Sequence, residues 1–229
     1  MIPDKIATST IKTALGKMKT LRRSRLSIWD LDDTLFRTEA KHLKIKVVDR
    51  IDQRKPIIRN GKPLTVSSHD FANEKKLNEL LDEVKGCLAE PQSFLSFRSA
   101  SIFKKHSKAI EENVAKAVED LSHKDKFFMI LTARAKTNNK EVFLQHLADN
   151  GLNIKDGDAK LRSHAIFTRS VTSTPGAKGK QEVIAAILRN CPFIEQVDFW
   201  DDSSSNIASF NALDKEFPSI KFIPHHIKT

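Results

Sequence analysis

Three short apolar runs, each ending in polar or acidic residues, limit what this chain can fold into. They are Leu26-Ser27-Ile28-Trp29 before Asp30-Leu31-Asp32-Asp33, Phe127-Phe128-Met129-Ile130-Leu131 before Thr132, and Val197-Asp198-Phe199-Trp200 before Asp201-Asp202. Runs this short and this apolar read as strands buried on both faces. Helical periodicity separates them. Leu77, Leu80, Leu81, Val84 and Leu88 share one face of a helix expected over Asn73 to Glu90, and Val114, Ala117, Val118 and Leu121 share one over Ile110 to Leu121. Val142, Phe143 and Leu147 mark a helix over Thr137 to Asn150 that Gly151 stops, and Val183, Ile184, Ile187 and Leu188 mark one over Lys180 to Asn190 that Pro192 ends. Shorter strands are expected at Ala165 to Thr168 and Ile220 to Ile223, and the Ser-Thr-Pro-Gly run from Ser170 to Gly179 reads as a loop. Strands alternating with helices predict an α/β fold with a mainly parallel sheet, because each parallel crossover must span back to the starting edge.

About 90 residues separate the first and second strands, whereas a βαβ unit needs roughly 30. Something is inserted. Ile57-Ile58-Arg59-Asn60-Gly61-Lys62-Pro63-Leu64 reads as two short strands around an Asn-Gly turn, and with Ile45 to Val48 it predicts a small β flap followed by helix. The expected organisation is a basic N-terminal helix over 1–25, a core of 26–39 and 105–229, and an inserted cap or flap over 40–104.

The 229 residues carry a net charge of +10. Residues 1–25 hold seven Lys or Arg (Lys5, Lys12, Lys17, Lys19, Arg22, Arg23, Arg25) against Asp4, so 7 − 1 = +6 resides there and +4 in the rest. Ile2, Ile6, Ile11, Leu15, Met18 and Leu21 recur in that segment at near-helical spacing. Three uses fit: a solvated helix packed by its apolar stripe, weak nucleic-acid binding through its basic face, or a transit peptide. A second tract, Ala159 to Lys180, holds Lys160, Arg162, Arg169, Lys178 and Lys180 with no acid, as a solvated loop or a phosphate-rich path would. Cys87 and Cys191 lie far apart without metal-ligand spacing, no apolar run reaches the roughly 20 residues of a membrane span, and no secretory signal opens the chain. A cytoplasmic protein with no membrane partner is expected. His69, His106, His164, His225 and His226 form no recognisable ligand set.

In an open parallel sheet, ligands bind at the carboxyl ends of the strands. Asp30, Asp32, Thr132, Asp201 and Asp202 all fall at such ends. Carboxylates gathered in one crevice repel one another unless a hard cation neutralises them, and oxygen ligands of this kind suit Mg2+.

Trp29-Asp30-Leu31-Asp32-Asp33-Thr34-Leu35 resembles the first signature of the haloacid dehalogenase superfamily, an apolar strand followed by Asp-x-Asp-x-Thr. Leu131-Thr132-Ala133-Arg134 resembles the second, Lys180 with apolar residues at +3, +4 and +7 the third, and Asp201-Asp202 with Asn206 the fourth. The motifs fall in the family's order and bracket 26 to about 223. The arrangement is similar to small bacteriophage-encoded members and, at a distance, to the phosphatase halves of nucleic-acid repair enzymes. The resemblance implies a Rossmann-like three-layer sandwich carrying a small cap, and a Mg2+-dependent phosphohydrolase. Asp30 would attack phosphorus to form an aspartyl-phosphate, Asp32 would act as acid and then base, and Thr132, Lys180 and Arg134 would bind the phosphoryl group. Asp30, Asp32, Asp201 and Asp202 would hold the metal, supported by Thr34 and Asn206. Asp32 two residues after the nucleophile marks phosphoryl-transfer members rather than dehalogenases. Lys178 competes with Lys180, which its downstream apolar spacing favours; Asp201 leaves the strand directly, whereas Asp202 stands at the motif's distance from Asn206; and an equal alternative for Arg134 is a structural salt bridge. Two departures are Asp33 where many members have Gly, and Asn206 where many have a second acid. The implied substrate is a nucleotide or a phosphorylated nucleic-acid end. Phosphotransfer to an acceptor other than water, or a nucleic-acid or protein binding module on a catalytically weakened fold, are the alternatives.

Overall fold

The apolar runs become neighbouring strands of one sheet. The computed structural model describes residues 6, 11–38, 45–66, 74–88, 99–134, 136–174 and 176–228. In chain order the elements are α1 (Lys12–Leu21), β1 (Arg25–Trp29), β2 (Phe36–Thr38), β3 (Ile45–Asp49), β4 (Ile58–Arg59), β5 (Lys62–Pro63), β6 (Thr65–Val66), α2 (Glu74–Glu83) and β7 (Gly86–Leu88). Then follow α3 (Ala100–His106), β8 (Ser107–Ala109), α4 (Glu111–Ser122), β9 (Lys126–Thr132), α5 (Lys140–Asp149), α6 (Gly157–Arg162), β10 (Ser163–Phe167), α7 (Gly176–Asn190), β11 (Gln196–Asp201), α8 (Ser204–Asn211) and β12 (Lys221–His226). The protein is α/β. Its five-stranded sheet has the order β10-β9-β1-β11-β12, and every neighbouring pair is parallel. Strand order reverses between β1 and β11, which makes their carboxyl ends the switch point where open α/β sheets bind ligands.

Alternation along each strand builds a core on both faces of this sheet. Leu26, Ile28, Phe127, Met129, Leu131, Val197 and Phe199 point to one side and pack with Val183, Ile184 and Ile187 of α7. Trp29, Phe128 and Ile130 point to the other and pack with Phe103, Val114, Ala117 and Phe143. Each such side chain contributes about 1.5–3 kcal/mol when fully buried. Ser27 also lies on the second face, where its hydroxyl donates to Asp120 Oδ2 at 2.6 Å and accepts from Trp29 Nε1 at 2.9 Å. Lys126 pairs with the other oxygen of Asp120, so this buried polar group is matched.

The stripe on α1 is used internally: Ile11, Ala14, Leu15 and Met18 are buried in the same cluster as Leu26 and Ile28. The helix stops at Arg22, whose left-handed backbone (φ 47) turns its N–H onto Met18 O at 2.8 Å. Ile2 lies outside the described residues.

Within the segment between β1 and β9, β2 and β8 pair antiparallel, so the chain leaves the core and returns side by side. Beyond them β3 pairs antiparallel with β6 and β7, and β4 and β5 form the expected hairpin, with Asn60 (φ 51) and Gly61 (φ 71) supplying the positive φ of its turn. Val47, Val66 and Leu77 form a small core of their own.

Two expectations are corrected. The helix placed over Asn73 to Glu90 ends at Glu83, because Lys85 turns left-handed (φ 49) and Gly86 lies so close to β3 that a Cβ there would stand 2.7 Å from Val47 Cγ1. Leu88 is therefore a strand residue; Asn73 lies outside the described residues. The supposed loop from Ser170 to Gly179 contains the first turn of α7, which starts at Gly176 rather than Lys180. Among the described residues, no helix is long and apolar enough to cross a membrane.

Candidate active site

Asp30 continues β1, its N–H bonded to Trp200 O at 2.9 Å, and Asp201 ends β11 beside it. Lys180, in the second turn of α7, reaches between them: its Nζ donates to Asp30 Oδ1 at 2.6 Å and Asp201 Oδ2 at 2.7 Å. All three groups are buried, with side-chain exposures of 3% for Lys180, 8% for Asp30 and 0% for Asp201. Lys178 lies in the first turn and is exposed. Of the two lysines, Lys180 meets the carboxylates.

Two local features aim Lys180. Gly179 passes so close to the preceding loop that a Cβ would lie 2.3 Å from Thr174 O. The buried carboxylate of Glu182 accepts from the Thr172 hydroxyl at 2.9 Å and the Thr174 hydroxyl at 3.0 Å, tying that loop to the helix. Neither feature is legible in the sequence, since a Thr-x-Thr run ahead of a helix looks like any polar loop.

The turn after β1 is built from its own backbone: Leu35 N and Phe36 N both donate to Leu31 O, and Asp33 N donates to Phe36 O. Asp33 adopts φ 58, the glycine-favoured conformation that aspartate tolerates better than most residues. Thr34 Oγ1 accepts from Asp202 N at 3.0 Å, joining the two strand ends.

Asp32 is held differently from Asp30. Arg134 donates to both its oxygens, Nε to Oδ2 at 2.8 Å and Nη2 to Oδ1 at 2.6 Å, while its guanidinium lies 4.5 Å from the centre of the Phe103 ring. Arg134 is buried and so is Thr132, whose hydroxyl accepts from Arg134 N at 3.2 Å. Thr132 O in turn accepts from the Thr168 hydroxyl at 3.1 Å, which anchors the end of β10 to the site.

Carboxylate oxygens of Asp30, Asp201 and Asp202 lie within 4.8 Å of one another, the spacing of a cation site; Asp32 is not part of that group. The two acids ending β11 divide their roles. Asp201 is saturated, accepting from Lys180, from Asn206 Nδ2 at 2.8 and 2.9 Å, and from Ser203 N at 2.9 Å. Asp202 is half-buried, and its carboxylate takes a long bond of 3.4 Å from the Thr34 hydroxyl. Burial, with Asp201 and then Asp33 adding repulsion, pushes its carboxyl up to about 6. Burial also holds the Asp30 carboxyl well above its usual range; Lys180 opposes this, and Asp201 and Asp32 add to it. Burial alone would lower the Lys180 ammonium, but Asp201 and Asp30 outweigh it, so it is held above its ordinary value and stays charged.

A scan of protein-family models, a search of curated proteins and a search of solved structures each return no match. When all three carboxylates are ionised, three against one ammonium, −3 + 1 = −2, leave two negative charges at a crevice of hard oxygen donors. That donor set fits a divalent cation such as Mg2+.

Proposed function

We propose that this chain is a Mg2+-dependent phosphomonoester hydrolase acting through an aspartyl-phosphate on Asp30, with a Rossmann-like core carrying 40–104 as a small cap. The observation that carries this is the buried Lys180 ammonium bridging Asp30 and Asp201 at the strand ends where the sheet order reverses. Burial raises the Asp30 carboxyl, and the fixed ammonium of Lys180 opposes this and favours the anion that attack requires.

In the first step an Asp30 oxygen forms a bond to phosphorus while the bond from phosphorus to the leaving oxygen breaks, and that oxygen takes a proton from Asp32. In the second, Asp32 accepts a proton from water as the water oxygen bonds to phosphorus, and the Asp30–phosphorus bond breaks. Asp32 starts locked in the fork of Arg134. Because the same fork matches phosphoryl oxygens, transfer of Arg134 to the substrate would bind the phosphoryl group and release the Asp32 carboxylate, which would take up a proton from solvent before giving it to the leaving oxygen. Thr132 and Lys180 would supply the remaining donors. Asp30 and Asp202 would hold Mg2+, with Asp201 fixed beside them, and the ion would offset the charge of the approaching phosphate. Asn206 and Thr34 support this set by fixing Asp201 and Asp202.

The test is a turnover screen of nucleoside monophosphates, 3′- and 5′-phosphorylated oligonucleotides and sugar phosphates, with and without Mg2+. Mg2+-dependent release of phosphate that Asp30→Asn abolishes is expected. No turnover in any class would leave the binding-module alternative standing.

A further inference from the structure

The two basic tracts, far apart in sequence, meet in space. Lys17 of α1 donates its ammonium to Lys160 O at 2.5 Å and Ser163 O at 2.8 Å, where α6 runs into the edge strand β10. Lys140, first residue of α5, and Lys160 stand close enough to add to the burial that lowers the Lys17 ammonium. His164, inside β10, is pushed down to about 4 by burial and then by Lys17 and Lys140. Four elements thus bring basic groups to one edge of the sheet. Among the described residues, no carboxylate forms an ion pair with Lys17, Lys140 or Lys160, although pairing is frequent elsewhere on this surface, as in Arg50–Asp82 and Lys116–Glu112. Arg162 does not belong to the patch, being buried with its donors on Leu121 O, His123 O and Asp158.

The patch has a direction. β10 is five residues long, about 16 Å at roughly 3.3 Å per residue. It ends at Phe167, and the next two residues are Thr168, bonded to Thr132 O in the candidate site, and the half-buried Arg169. The acids on these same elements are engaged by other cations, Asp158 by Arg162 and Glu141 by Lys155, and like charges that converge without a paired acid are relieved by an anion. An anion that spans such a length and ends at a carboxylate site built for a phosphoryl group is a chain of phosphates.

We propose that the β10 edge, through Lys17, Lys140 and Lys160, binds the phosphate backbone of a nucleic-acid strand and leads its phosphorylated end to Asp30. The binding stands on this surface alone; the identity of the substrate rests on the hydrolase reading above. The test uses the full chain and an unphosphorylated, fluorescently labelled single-stranded DNA oligonucleotide, with affinity followed by anisotropy from 0.05 to 0.2 M salt. Lys140→Gln/Lys160→Gln removes two charges and leaves Lys17 and its helix contact in place. Each phosphate no longer neutralised by a lysine lowers the salt slope by about 0.7, so the double variant should have a slope shallower by about 1.4 and bind about 25-fold more weakly at 0.1 M salt. Lys215→Gln/Lys221→Gln makes the same charge change at residues exposed near the opposite edge and should bind as the parent does. Turnover of a small aryl phosphate should be unchanged in both variants, and its absence throughout would refute the hydrolase reading while leaving the binding result readable. Equal losses in the two double variants, no binding by the parent, or binding only to phosphatidylserine vesicles would overturn the proposal.

Discussion

Replacing Lys180 by Met tests the centre of the site through stability, without assuming any substrate. Methionine fills a similar volume but leaves Asp30 and Asp201, at 8% and 0% side-chain exposure, without the ammonium 2.6 and 2.7 Å away. Removing one member of a buried ion pair costs about 3–5 kcal/mol because the partner charge stays desolvated. For a chain of this size each kcal/mol lowers Tm by about 2–4 °C, so a fall of roughly 6–20 °C is expected at neutral pH. The pH dependence has a definite sign. Burial already raises the Asp30 carboxyl in the folded state, so over that window the native protein binds more protons than the unfolded chain and its stability falls as pH rises. Without Lys180 the Asp30 carboxyl rises further, so the Tm gap between variant and parent should shrink as pH is lowered and protonation neutralises it. The assay is thermal unfolding by circular dichroism between pH 4.5 and 8, without divalent metal. A drop under about 3 °C at neutral pH, or a gap that widens in acid, would refute the reasoning.

Three further outcomes are expected. Mg2+ should raise Tm, by about 2.7 kcal/mol of stability at 100 times its dissociation constant. This gain should grow as pH rises through about 6, where Asp202 loses its proton, and should fall sharply in Asp202→Asn, as differential scanning fluorimetry would show. Gly179→Ala should destabilise by about 1–3 kcal/mol, because the new methyl would stand 2.3 Å from Thr174 O; urea unfolding would measure it. Asp120→Ala should cost about 3–5 kcal/mol by the same measurement, since it strands Lys126 and removes the acceptor of Ser27 and Trp29.

What can be read in the sequence follows the strength of the local signal. β1, β9 and β11 are legible because each is a short, predominantly apolar run ending in polar residues, and the strand-end rule then locates Asp30, Thr132, Asp201 and Asp202 together. β2, β6 and β8 have two or three residues and α3 and α6 seven and six, too few to show a period. Leu88 misleads because it stands four residues after Val84, a helical spacing, while the left-handed turn at Lys85 is set by the close approach of Gly86 to Val47. The start of α7 is hidden by a Ser-Thr-Pro-Gly composition typical of loops. Contacts across the fold leave no local trace: Arg134 and Asp32 are 102 residues apart, and nothing near either shows that they form a fork. The same holds for Lys17 and Lys160, where two tracts that look like separate solvated segments share one edge.

The most direct test of the account is whether a phosphoryl group becomes attached to Asp30. The protein would be mixed with Mg2+ and a turned-over phosphomonoester, quenched in acid within a turnover, digested and analysed by mass spectrometry. A phosphoryl adduct is expected on the peptide carrying Asp30, absent in Asp30→Asn and longer-lived in Asp32→Asn. Turnover that proceeds without any adduct on Asp30, or that survives Asp30→Asn, would contradict it.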